Sequence, residues 1–443
     1  MTPAVALAAL RAAEAEDGAP DLAARRAALE RLRAAVLRRA EDAVAAADAD
    51  FGGRAAEDTL LADVLVVAEA ARYAARHLRR WAKPQRVSVP LPFLPARAWV
   101  EYVPKGVVGV MAPWNYPLQL ALVPALEAVA AGNRVCLKPS EATPRVAALL
   151  GEIVAEAWGP RMGLVVQGGV EVARDFATQP WDHLVFTGGT ETGRRVMAAA
   201  AANLTPLTLE LGGKCPSLVL PGADLREAAR AILAAKAVNA GQTCIAPDTV
   251  LLVGHRAADF HAACRATGIG AAETSVINPA QGARLERIAG GTETETLGEG
   301  TTPLRLAPAQ GALAAEEIFG PVLAVEECAD LPAALRWIAA RPHPLAIALF
   351  GATRAEEEAV AAGTKSGALV VGRAMEHAAM PGLPFGGVGA SGFGRRGGEA
   401  GFREFSNPRA RVRHGRVALA RLLDPPRGDF ARKLARRLVG LKP

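Results

Sequence analysis

The chain has 443 residues, 51% hydrophobic and 22% charged, which excludes a disordered chain and predicts the large buried cores of two or three packed domains. Its formal net charge is +6, but residues 409–443 hold eleven Lys and Arg against two Asp and Glu, which leaves 40 basic and 43 acidic side chains elsewhere. The body is thus close to neutral, which argues against a nucleic-acid partner and places the basicity in the C-terminal tail.

Cysteine usage and the N-terminal residues lead us to expect a cytoplasmic protein. The five cysteines are scattered, odd in number and without a Cys-x-x-Cys pair, so they do not form a disulfide framework. Arg11 and Glu14 come too early for the apolar core of a signal peptide. Residues 107–126 lack charge and are long enough for a membrane span, but three prolines interrupt them, so a buried strand, loop and helix are predicted there.

Helices are predicted for residues 1–80, because apolar side chains recur there at spacings of three, four and seven. Leu22, Leu29, Leu32 and Val36 form one such stripe. Four prolines between positions 84 and 95 then end the helical pattern. The alternation of Trp, Glu and Val at every second position of residues 99–103 predicts an edge strand or a hairpin arm.

From residue 107 onwards, short apolar runs alternate with helical patterns, which is typical of a parallel, doubly wound sheet. The predicted strands are Val107–Met111, Val135–Leu137, Leu164–Val166, Leu184–Phe186 and Leu207–Leu211, and the helices between them are Pro117–Ala131, Pro144–Trp158 and Glu191–Ala202. A second alternation has strands at Leu218–Leu220, Val250–Val253 and Leu369–Val371, with a helix from Asp224. The fold predicted is α/β, with two domains that meet near Gly212–Gly213. Residues 290–311, polar and rich in Gly and Thr, are predicted to be a mobile surface loop.

Cys244 is the first candidate for catalysis. It follows Asn239-Ala-Gly-Gln-Thr, where a predicted helix ends, so we expect the thiol in a loop. A thiolate is a nucleophile, but a thiol with an ordinary pKa of roughly 8.5 must first lose its proton. The alternative is a buried structural cysteine. The seven histidines show no metal-ligand spacing and no evident partner for this thiol, so no metal site is predicted and a Cys–His hydrolase is disfavoured.

Two other side chains have the chemistry to act with a nucleophile. Glu210 lies inside an apolar predicted strand, where burial would raise its pKa toward that of a general base; alternatively it pairs with Lys214. Asn115 lies between two prolines that restrict its backbone, so its amide is placed either to stabilise an oxyanion or to make an ordinary Asx turn.

Two junctions between strands and helices are candidates for nucleotide binding. Phe186-Thr-Gly-Gly-Thr-Glu-Thr-Gly offers free backbone N–H groups at a helix start, which favour a pyrophosphate. In Lys138-Pro-Ser-Glu141, the acidic side chain either holds ribose hydroxyls or is a solvated charge at a capped helix start. The literal G-x-G-x-x-G at residues 387–392 precedes no helical pattern and is predicted to be a tight glycine turn.

Seven segments in one order, spanning most of the chain, resemble the motifs of the aldehyde dehydrogenase superfamily. They are Pro113-Trp-Asn-Tyr-Pro, Lys138-Pro-Ser-Glu, Phe186-Thr-Gly-Gly-Thr, Glu210-Leu-Gly-Gly-Lys, Gly241-Gln-Thr-Cys, Glu316-Glu-Ile-Phe-Gly-Pro and Pro384-Phe-Gly-Gly. The segment that begins at Leu383 and the basic tail are most similar to the class-3 and coniferyl-aldehyde branch.

The resemblance implies that NAD or NADP oxidises a hydrophobic aldehyde, aromatic or of medium to long chain, to a carboxylic acid through a cysteine thioester. Cys244 would be the nucleophile, Glu210 the base for the deacylating water, and Asn115 with the Cys244 backbone N–H the oxyanion hole. Trp114 and Tyr116 would line the substrate pocket. The cofactor-binding residues would be Lys138, Ser140, Glu141, Thr187, Gly188, Gly189, Thr190, Gly193, Leu211, Glu317 and Phe319.

The resemblance also implies a division of the chain. Residues 1–82 and 104–212 would form a Rossmann-like NAD(P)-binding domain and residues 213–390 the catalytic domain. Residues 83–103 and 391–443 would form a small β-arm and a C-terminal tail for oligomerisation, and hence a homodimer.

Three departures from the family pattern leave alternatives open. Gly189 stands where Ser is usual, Gly372-Arg373 replaces an Asn-containing pair, and the 73 positions from Cys244 to Glu317 are fewer than in relatives. The shortening raises the alternative of a catalytically impaired member that acts as a binding or scaffold protein. A third possibility, an acylating dehydrogenase that passes the thioester to coenzyme A, would not need Glu210.

The basic tail has two interpretations. Leu434, Leu438 and Leu441 form one helical stripe with cations on the other positions. Such a segment either makes weak contact with an anionic membrane surface or packs as a helix against its own protein or a partner subunit.

Overall fold

The computed structural model describes residues 1–415, 421 and 424–442. The helices in this part of the chain are α1 (Pro3–Asp17), α2 (Leu22–Arg38), α3 (Ala40–Phe51), α4 (Ala56–Thr59), α5 (Leu65–Trp81), α6 (Gln119–Ala131), α7 (Pro144–Trp158), α8 (Val170–Thr178), α9 (Thr190–Ala201), α10 (Leu225–Ala237), α11 (Ala257–Ala266), α12 (Pro279–Ala289), α13 (Gly311–Ala315), α14 (Leu331–Ala339), α15 (Arg354–Gly363), α16 (Gly398–Glu404) and α17 (Asp429–Leu438).

Its strands are β1 (Gln85–Val87), β2 (Arg97–Pro104), β3 (Val107–Met111), β4 (Arg134–Lys138), β5 (Gly163–Val165), β6 (His183–Gly188), β7 (Leu207–Leu211), β8 (Pro216–Val219), β9 (Thr249–Val253), β10 (Ala271–Ala272), β11 (Glu295–Thr296), β12 (Thr302–Pro303), β13 (Arg305–Pro308), β14 (Val322–Cys328), β15 (Ala346–Phe350), β16 (Ala368–Val371), β17 (Gly392–Phe393) and β18 (Ser406–Arg413). The predicted α/β class is confirmed, as are the helices before residue 82 and the strands and helices predicted from residue 107 to 220.

The first large sheet has six strands in the order β17-β7-β6-β3-β4-β5, all parallel except β17. Helices α6 and α7 cover one face and α1, α8 and α9 the other, so the strands are buried on both sides and are mostly apolar. The chain starts at β3, moves outward to β4 and β5, and returns beside β3 with β6. The order of the strands therefore reverses between β3 and β6, and ligands of such sheets bind at the carboxyl ends of the strands at this reversal.

The N-terminal helices are stabilised by packing against α6. Leu29 and Leu32 of α2 and Leu78 of α5 are fully or almost fully buried against α6, where Leu122 and Leu126 are buried in turn. The apolar side chains that recur at spacings of three, four and seven therefore form the helix faces that pack against this core.

The second large sheet has seven strands in the order β11-β13-β14-β9-β8-β15-β16, parallel apart from the β11 edge. Its apolar strands also separate two buried clusters, one on each face. The predicted mobile loop at residues 290–311 is wrong in part, because β11, β12 and β13 lie within it and β13 pairs with β14, burying Leu306 and Ala307. Strands of two to four residues among Gly and Thr are too short to show an alternating pattern, and they form through pairing with β14 for β13, with β13 for β11 and with β10 for β12.

A small antiparallel sheet stands apart from both, in the order β1-β2-β18. The hairpin arm predicted around residues 99–103 is confirmed, but β2 is the central strand of this sheet and not an edge strand. Its second neighbour, β18, comes some three hundred residues later, and Glu101 of β2 receives hydrogen bonds from Arg409 (3.2 Å) and Arg411 (2.6 Å) there. None of the described helices is long and apolar enough to span a membrane.

The domain boundaries remain a prediction. The strands of the first sheet come from before Gly212–Gly213 and those of the second sheet from after it, with one exception. Strand β17, from the predicted C-terminal region, pairs Gly392 with Glu210 of β7 in the first sheet. Residues 392–404 thus return to the first sheet, where α16 packs against α5 and α6.

Candidate active site

Two cavities meet at Cys244. The first, which we call the strand-end cavity, has a volume of about 280 Å³ and lies at the reversal of the first sheet. The second, the apolar cavity, has a volume of about 360 Å³ and is lined mainly by Ala, Leu and Val side chains. Because Cys244 lines both, a molecule bound in either cavity would reach the same sulfur atom.

The strand-end cavity collects residues from segments far apart in the sequence. Its wall is formed by Pro113, Trp114, Asn115, Leu120, Thr187, Gly188, Gly189, Glu210, Leu211, Gly212, Cys244, Gln281, Arg284, Glu317 and Phe319. The nucleophile, base and amide named from the sequence therefore face one space, together with most of the residues expected to bind the cofactor.

An unusual turn presents Cys244. After α10, three successive residues, Asn239, Ala240 and Gly241, adopt left-handed conformations with φ of 50°, 51° and 69°. This is costly for the two non-glycine residues, so other contacts must fix it. The amide of Asn239 donates to the carbonyl oxygens of Asn115 (3.0 Å) and Gln242 (3.2 Å), and its N–H donates to Asp58 (2.9 Å). The thiol is thereby held in a loop, as predicted from the sequence.

The Asn115 side chain makes a long-range contact and not an Asx turn. Its Nδ2 donates to the carbonyl oxygen of Gln242 over 3.0 Å, two residues before Cys244. Its own carbonyl oxygen accepts from Arg54 (2.9 Å), whose guanidinium also bonds Asp63 (3.0 Å) in a buried ion pair. The amide is thus fixed beside the sulfur from both ends, which is the arrangement an oxyanion donor requires.

Glu210 is buried in β7 and has the properties of a base. Neither of its carboxylate oxygens has a hydrogen-bond partner in the described part of the chain. The alternative pairing with Lys214 is not found, because that ammonium group is bound to Asp248. Desolvation raises the pKa of Glu210 to about 7, partly offset by Arg396 and Arg395, so it can exchange a proton near neutral pH.

The surroundings of Cys244 favour the thiol over the thiolate. Burial first, and then the nearby Glu317 and Glu210 carboxylates, raise its pKa to about 12, while Arg396 lowers it. The pKa of Glu317 is itself raised to about 7 by burial and by Asp248. The sulfur therefore needs a base to become a nucleophile.

The glycine-rich end of the strand-end cavity fits a dinucleotide phosphate. The first turn of α9 has no side-chain cap at Gly189, which leaves its N–H groups available, and the Oγ1 of Thr187 is buried without a partner in the described chain. A Cβ on Gly193 would lie 2.6 Å from the Leu211 side chain, so glycine is what lets α9 approach β7. At Gly189 a Cβ would meet nothing within 4 Å, so the serine usual in the family would fit.

Other predicted cofactor residues lie outside this cavity wall. Lys138 and Glu141 are brought together at the end of β4 (Nζ to Oε2, 3.6 Å), and Lys138 also donates to the Pro139 carbonyl oxygen (2.7 Å). Ser140 accepts a local bond from the Ala142 N–H (3.2 Å). Thr190 Oγ1 lies 3.5 Å from the carbonyl oxygen of Ala390.

The two aromatic residues of the predicted substrate pocket are separated. Tyr116 lines the apolar cavity, and its hydroxyl bonds Thr243 Oγ1 (2.6 Å). Trp114 instead lines the strand-end cavity, edge-on to Phe319 with ring centroids 5.5 Å apart. The sequence places both beside Asn115, but neighbouring residues in this loop point to opposite sides.

Sequence reasoning missed two arginines of the site. The guanidinium of Arg284, on α12, donates to the carbonyl oxygens of Glu317 (3.1 Å), Ile318 (2.6 Å) and Phe319 (3.2 Å), and so clamps the segment in which Phe319 has a φ of 48°. Arg396 lies beside Glu210. A lone arginine in a helix or loop carries no local signal of such contacts.

The chain matches the model of the aldehyde dehydrogenase family over residues 2–279 and 272–410, a break that falls between Cys244 and Glu317. The coniferyl aldehyde dehydrogenase of Pseudomonas sp. (strain HR199) is 39% identical over 430 residues, covering 90% of this chain and 88% of that protein. The substrate-bound state of Staphylococcus aureus AldH superposes with a TM-score of 0.91 at 29% identity, covering 97% of this chain and 98% of that one. An indole-3-acetaldehyde dehydrogenase in complex with NAD+ gives a TM-score of 0.85 at 26% identity, covering 93% and 88%. The chain therefore belongs to the aldehyde dehydrogenase family, and its activity is the NAD(P)-dependent oxidation of an aldehyde.

Proposed function

We propose that this oxidation proceeds through a thioester on Cys244, with Glu210 as the base and Asn115 as an oxyanion donor. The observation that carries the proposal is that these three side chains, from three separate segments, line one cavity. Behind the sulfur, the apolar cavity provides a separate space for the aldehyde. A non-catalytic scaffold would not need a buried carboxylate without a hydrogen-bond partner in the same cavity as a half-buried thiol.

The first half of the reaction forms the thioester. A water molecule takes the proton of the Cys244 thiol, the sulfur adds to the aldehyde carbon, and the carbonyl π electrons move to oxygen. The Asn115 amide and the Cys244 backbone N–H donate to that oxyanion. When the C=O bond re-forms, the hydrogen on carbon leaves with its electron pair, and the bound nicotinamide cofactor supplies the acceptor for this hydride.

The second half releases the acid. Glu210 removes a proton from a water molecule, which adds to the thioester carbon, and the same oxyanion donors stabilise the second tetrahedral intermediate. Collapse of the intermediate breaks the C–S bond, and the Cys244 thiolate takes up a proton as the carboxylate leaves. Because the pKa of Glu210 is about 7, a substantial fraction of this carboxylate is ionised at neutral pH, as a base for this step must be.

For the cofactor, we propose that Thr187, Gly188 and Gly189 contact the pyrophosphate side and that Glu317 and Phe319 hold the nicotinamide ribose and ring. Leu211 packs beside them, with Gly193 behind it. The Lys138–Glu141 pair at the next strand end would take the adenosine ribose, with Ser140 and Thr190 in the flanking turns. A glutamate can accept from ribose hydroxyls, which supports NAD without excluding NADP.

The substrate we propose is a hydrophobic aldehyde, aromatic or of medium chain length. The apolar cavity is lined by small aliphatic side chains and by the rings of Tyr116 and Phe385. Arg373 and Glu376 in the same wall form an ion pair (2.6 Å), so their opposite charges compensate each other. The coniferyl aldehyde of the Pseudomonas relative, an aromatic molecule, belongs to this class.

The proposal is tested by aldehyde-dependent formation of NADH or NADPH with the purified protein. We expect turnover with aromatic and medium-chain aldehydes, no change on adding coenzyme A, and loss of turnover in Cys244→Ala with cofactor binding retained. A folded protein that reduces neither cofactor and binds neither would contradict the proposal. A rate that depends on coenzyme A would instead favour the acylating alternative, and unaltered phenotypes in Cys244→Ala the scaffold alternative.

We also propose a homodimer formed through the arm sheet. Strand β18 lies at the edge of that sheet, where its backbone can pair with another chain. Its face carries the arginines 409, 411 and 413, of which the first two are bound to Glu101. Light scattering of the full chain tests the proposal, because a monomeric mass at micromolar concentration would contradict it.

For the C-terminal segment with helix α17 we propose weak contact with an anionic membrane surface. Of the predicted stripe, Leu438 and Leu441 are 59% and 55% exposed and Leu434 is half-buried, while Phe430 is 64% exposed. The helix also carries Arg432, Lys433, Arg436 and Arg437. Co-sedimentation with anionic and with neutral vesicles, for the full chain and for a chain ending at Gly428, tests this. Equal sedimentation of the two chains would favour the alternative, a helix that packs on a partner subunit. A cytoplasmic location is likewise proposed, on the free state of the five cysteines.

A further inference from the structure

A buried arginine in the wall of the apolar cavity makes no side-chain hydrogen bond within the described residues. Arg396 is 5% exposed and lines the apolar cavity next to Cys244. Its backbone pairs with Phe385 (2.7 and 2.9 Å), and its guanidinium lies over the ring of the same residue, 4.1 Å from the centroid. Burying a guanidinium is costly unless an anion compensates it.

The compensating anion is Glu210. The Nε of Arg396 lies 4.0 Å from Oε1 of Glu210, and both side chains are almost fully buried. Neither this nitrogen nor either oxygen of Glu210 has a hydrogen-bond partner in the described residues. The two charges thus face each other without being locked together, which leaves the carboxylate free to bond a water molecule.

Two further charged groups act on Glu210. Arg395, whose Nη1 donates to the carbonyl oxygens of Gly387 (2.6 Å) and Gly394 (2.7 Å), lowers the pKa of Glu210, but less than Arg396 does. Glu404 on α16, which accepts from Thr208 (2.8 Å), raises it. The Cys244 thiol lines the same cavity, and burial raises its pKa to about 12.

The remaining neighbour is Glu127 of α6, whose carboxyl group interacts electrostatically with both Arg396 and Glu210. It accepts from the Gly397 N–H (2.8 Å), and burial raises its pKa to about 8. A carboxyl group with this pKa is mainly protonated at pH 7, so it competes only weakly with Glu210 for the guanidinium.

We propose that Arg396 is a positioning residue for the base, and that its charge keeps the Glu210 carboxylate ionised while the thioester on Cys244 is hydrolysed. This rests on the proposed role of Glu210. No bond to substrate is required, because the guanidinium acts through the carboxylate. An opposite charge at this distance lowers a carboxyl pKa by about 1–3 units, enough to decide whether the base is ionised at pH 7.

The test follows the acyl-enzyme itself. Enzyme, aldehyde and a stoichiometric amount of NAD(P)+ are mixed, samples are quenched in acid, and the acylated protein is counted by intact mass at several pH values. For Arg396→Gln we expect an unchanged burst of one NAD(P)H per site. The midpoint, which is the pH at which the acyl-enzyme decays at half its maximal rate, should be at least about one pH unit higher than in the wild type. At pH 7 the decay should be slower on the order of tenfold. Arg396→Lys keeps the charge and should restore most of the wild-type midpoint.

Controls separate this inference from the proposed function. Glu210→Gln should stop the decay, and if it does not, the proposed base is wrong whatever Arg396 does. If Glu210→Gln stops the decay and Arg396→Gln leaves the midpoint unchanged, only the role of Arg396 is overturned. Arg341→Gln removes a guanidinium that likewise stacks on a ring, 3.5 Å from the Trp337 centroid, and should leave the midpoint alone. Should Arg396→Gln not fold, a midpoint in Arg396→Lys a full unit above wild type overturns the inference by itself.

Discussion

The side-chain amide of Asn115 donates to the carbonyl oxygen of Gln242 over 3.0 Å, which ties the loop after β3 directly to the loop that carries Cys244. The two loops belong to different sheets and lie 127 positions apart in the sequence. A second amide, that of Asn239, bonds the carbonyl oxygens of both Asn115 and Gln242. The oxyanion donor and the sulfur are thus fixed relative to each other before any substrate arrives, which lowers the cost of reorganisation during the reaction.

Asn115→Ala should therefore lose rate in the chemical step and not in cofactor binding. Removing one oxyanion donor costs about 10²–10³-fold in kcat in comparable sites, and we expect a loss of this order. Stopped-flow formation of NAD(P)H measures it, with a fluorescence titration of the cofactor alongside. Asn203→Ala, which removes an exposed amide bonded to Thr178, is the control. A variant with a wild-type burst rate would remove Asn115 from the mechanism.

Glu210→Gln should form the thioester once and then stall. Thioester formation and hydride transfer do not use Glu210, whereas hydrolysis does, so we expect one NAD(P)H per site followed by a slow phase. Hydroxylamine, a nucleophile that needs no base, should restart turnover. In the wild type the hydrolysis rate should rise with pH through about 7, because the base must be ionised. Steady turnover by Glu210→Gln without added nucleophile would contradict its role.

Much of the fold was predictable because parallel strands are buried on both faces. Val107–Met111 is a continuous apolar segment and Leu207–Leu211 is apolar at three of its five positions, and the structure begins and ends β3 and β7 at the same residues. Strand β14 escaped notice because Glu326 and Glu327 interrupt its end. The central position of β2 was not predicted for another reason. Its second neighbour, β18, is distant in the sequence, and the pattern of a single strand carries no information on which strand pairs with it.

The site was predictable only as far as motifs reach. Cys244, Glu210 and Asn115 lie in segments with a recognisable local pattern, whereas Arg396 contacts Glu210 across 186 positions. Trp114 shows a further limit, because sequence adjacency to Asn115 does not tell to which side of the loop a ring points. The pKa values also depend on burial, which only the packed structure reveals.

Gly193→Ala should weaken cofactor binding through Leu211. The added Cβ would lie 2.6 Å from Cδ2 of Leu211, and that side chain lines the strand-end cavity, into which it would have to move. We expect a higher dissociation constant for NAD(P)+ and a loss of about 1–3 kcal/mol in the free energy of unfolding.

The matched control is Gly282→Ala. Gly282 is the fourth residue of α12, as Gly193 is of α9, and a Cβ there meets nothing within 4 Å. This change should stabilise the helix by about 0.5–1 kcal/mol and leave the cofactor affinity unchanged. Equal cofactor affinities for the two variants would show that α9 can move away from β7, contrary to the packing argument.

Glu127→Gln should stabilise the protein at alkaline pH and leave its stability unchanged at acid pH. Burial raises the pKa of Glu127 from 4.5 to about 8, so the folded state binds a proton that the unfolded state has lost between these values. Because the folded state then holds more protons, the free energy of unfolding contributed by this group falls as pH rises through that window. Glutamine cannot ionise, yet its carbonyl oxygen can still accept from the Gly397 N–H.

The melting temperature of Glu127→Gln minus that of the wild type should accordingly grow from pH 5 to pH 9. At about 1.4 kcal/mol per pH unit, the shift from 4.5 to about 8 corresponds to a difference on the order of 5 kcal/mol above pH 8. Glu171→Gln, a change at a side chain that is 83% exposed and paired with Arg174, should show no such trend. A difference that stays constant with pH would mean that Glu127 is ionised in the folded protein throughout, with its charge balanced by Arg396. Arg396 would then be shared between two carboxylates, and its hold on Glu210 would be weaker than the geometry implies.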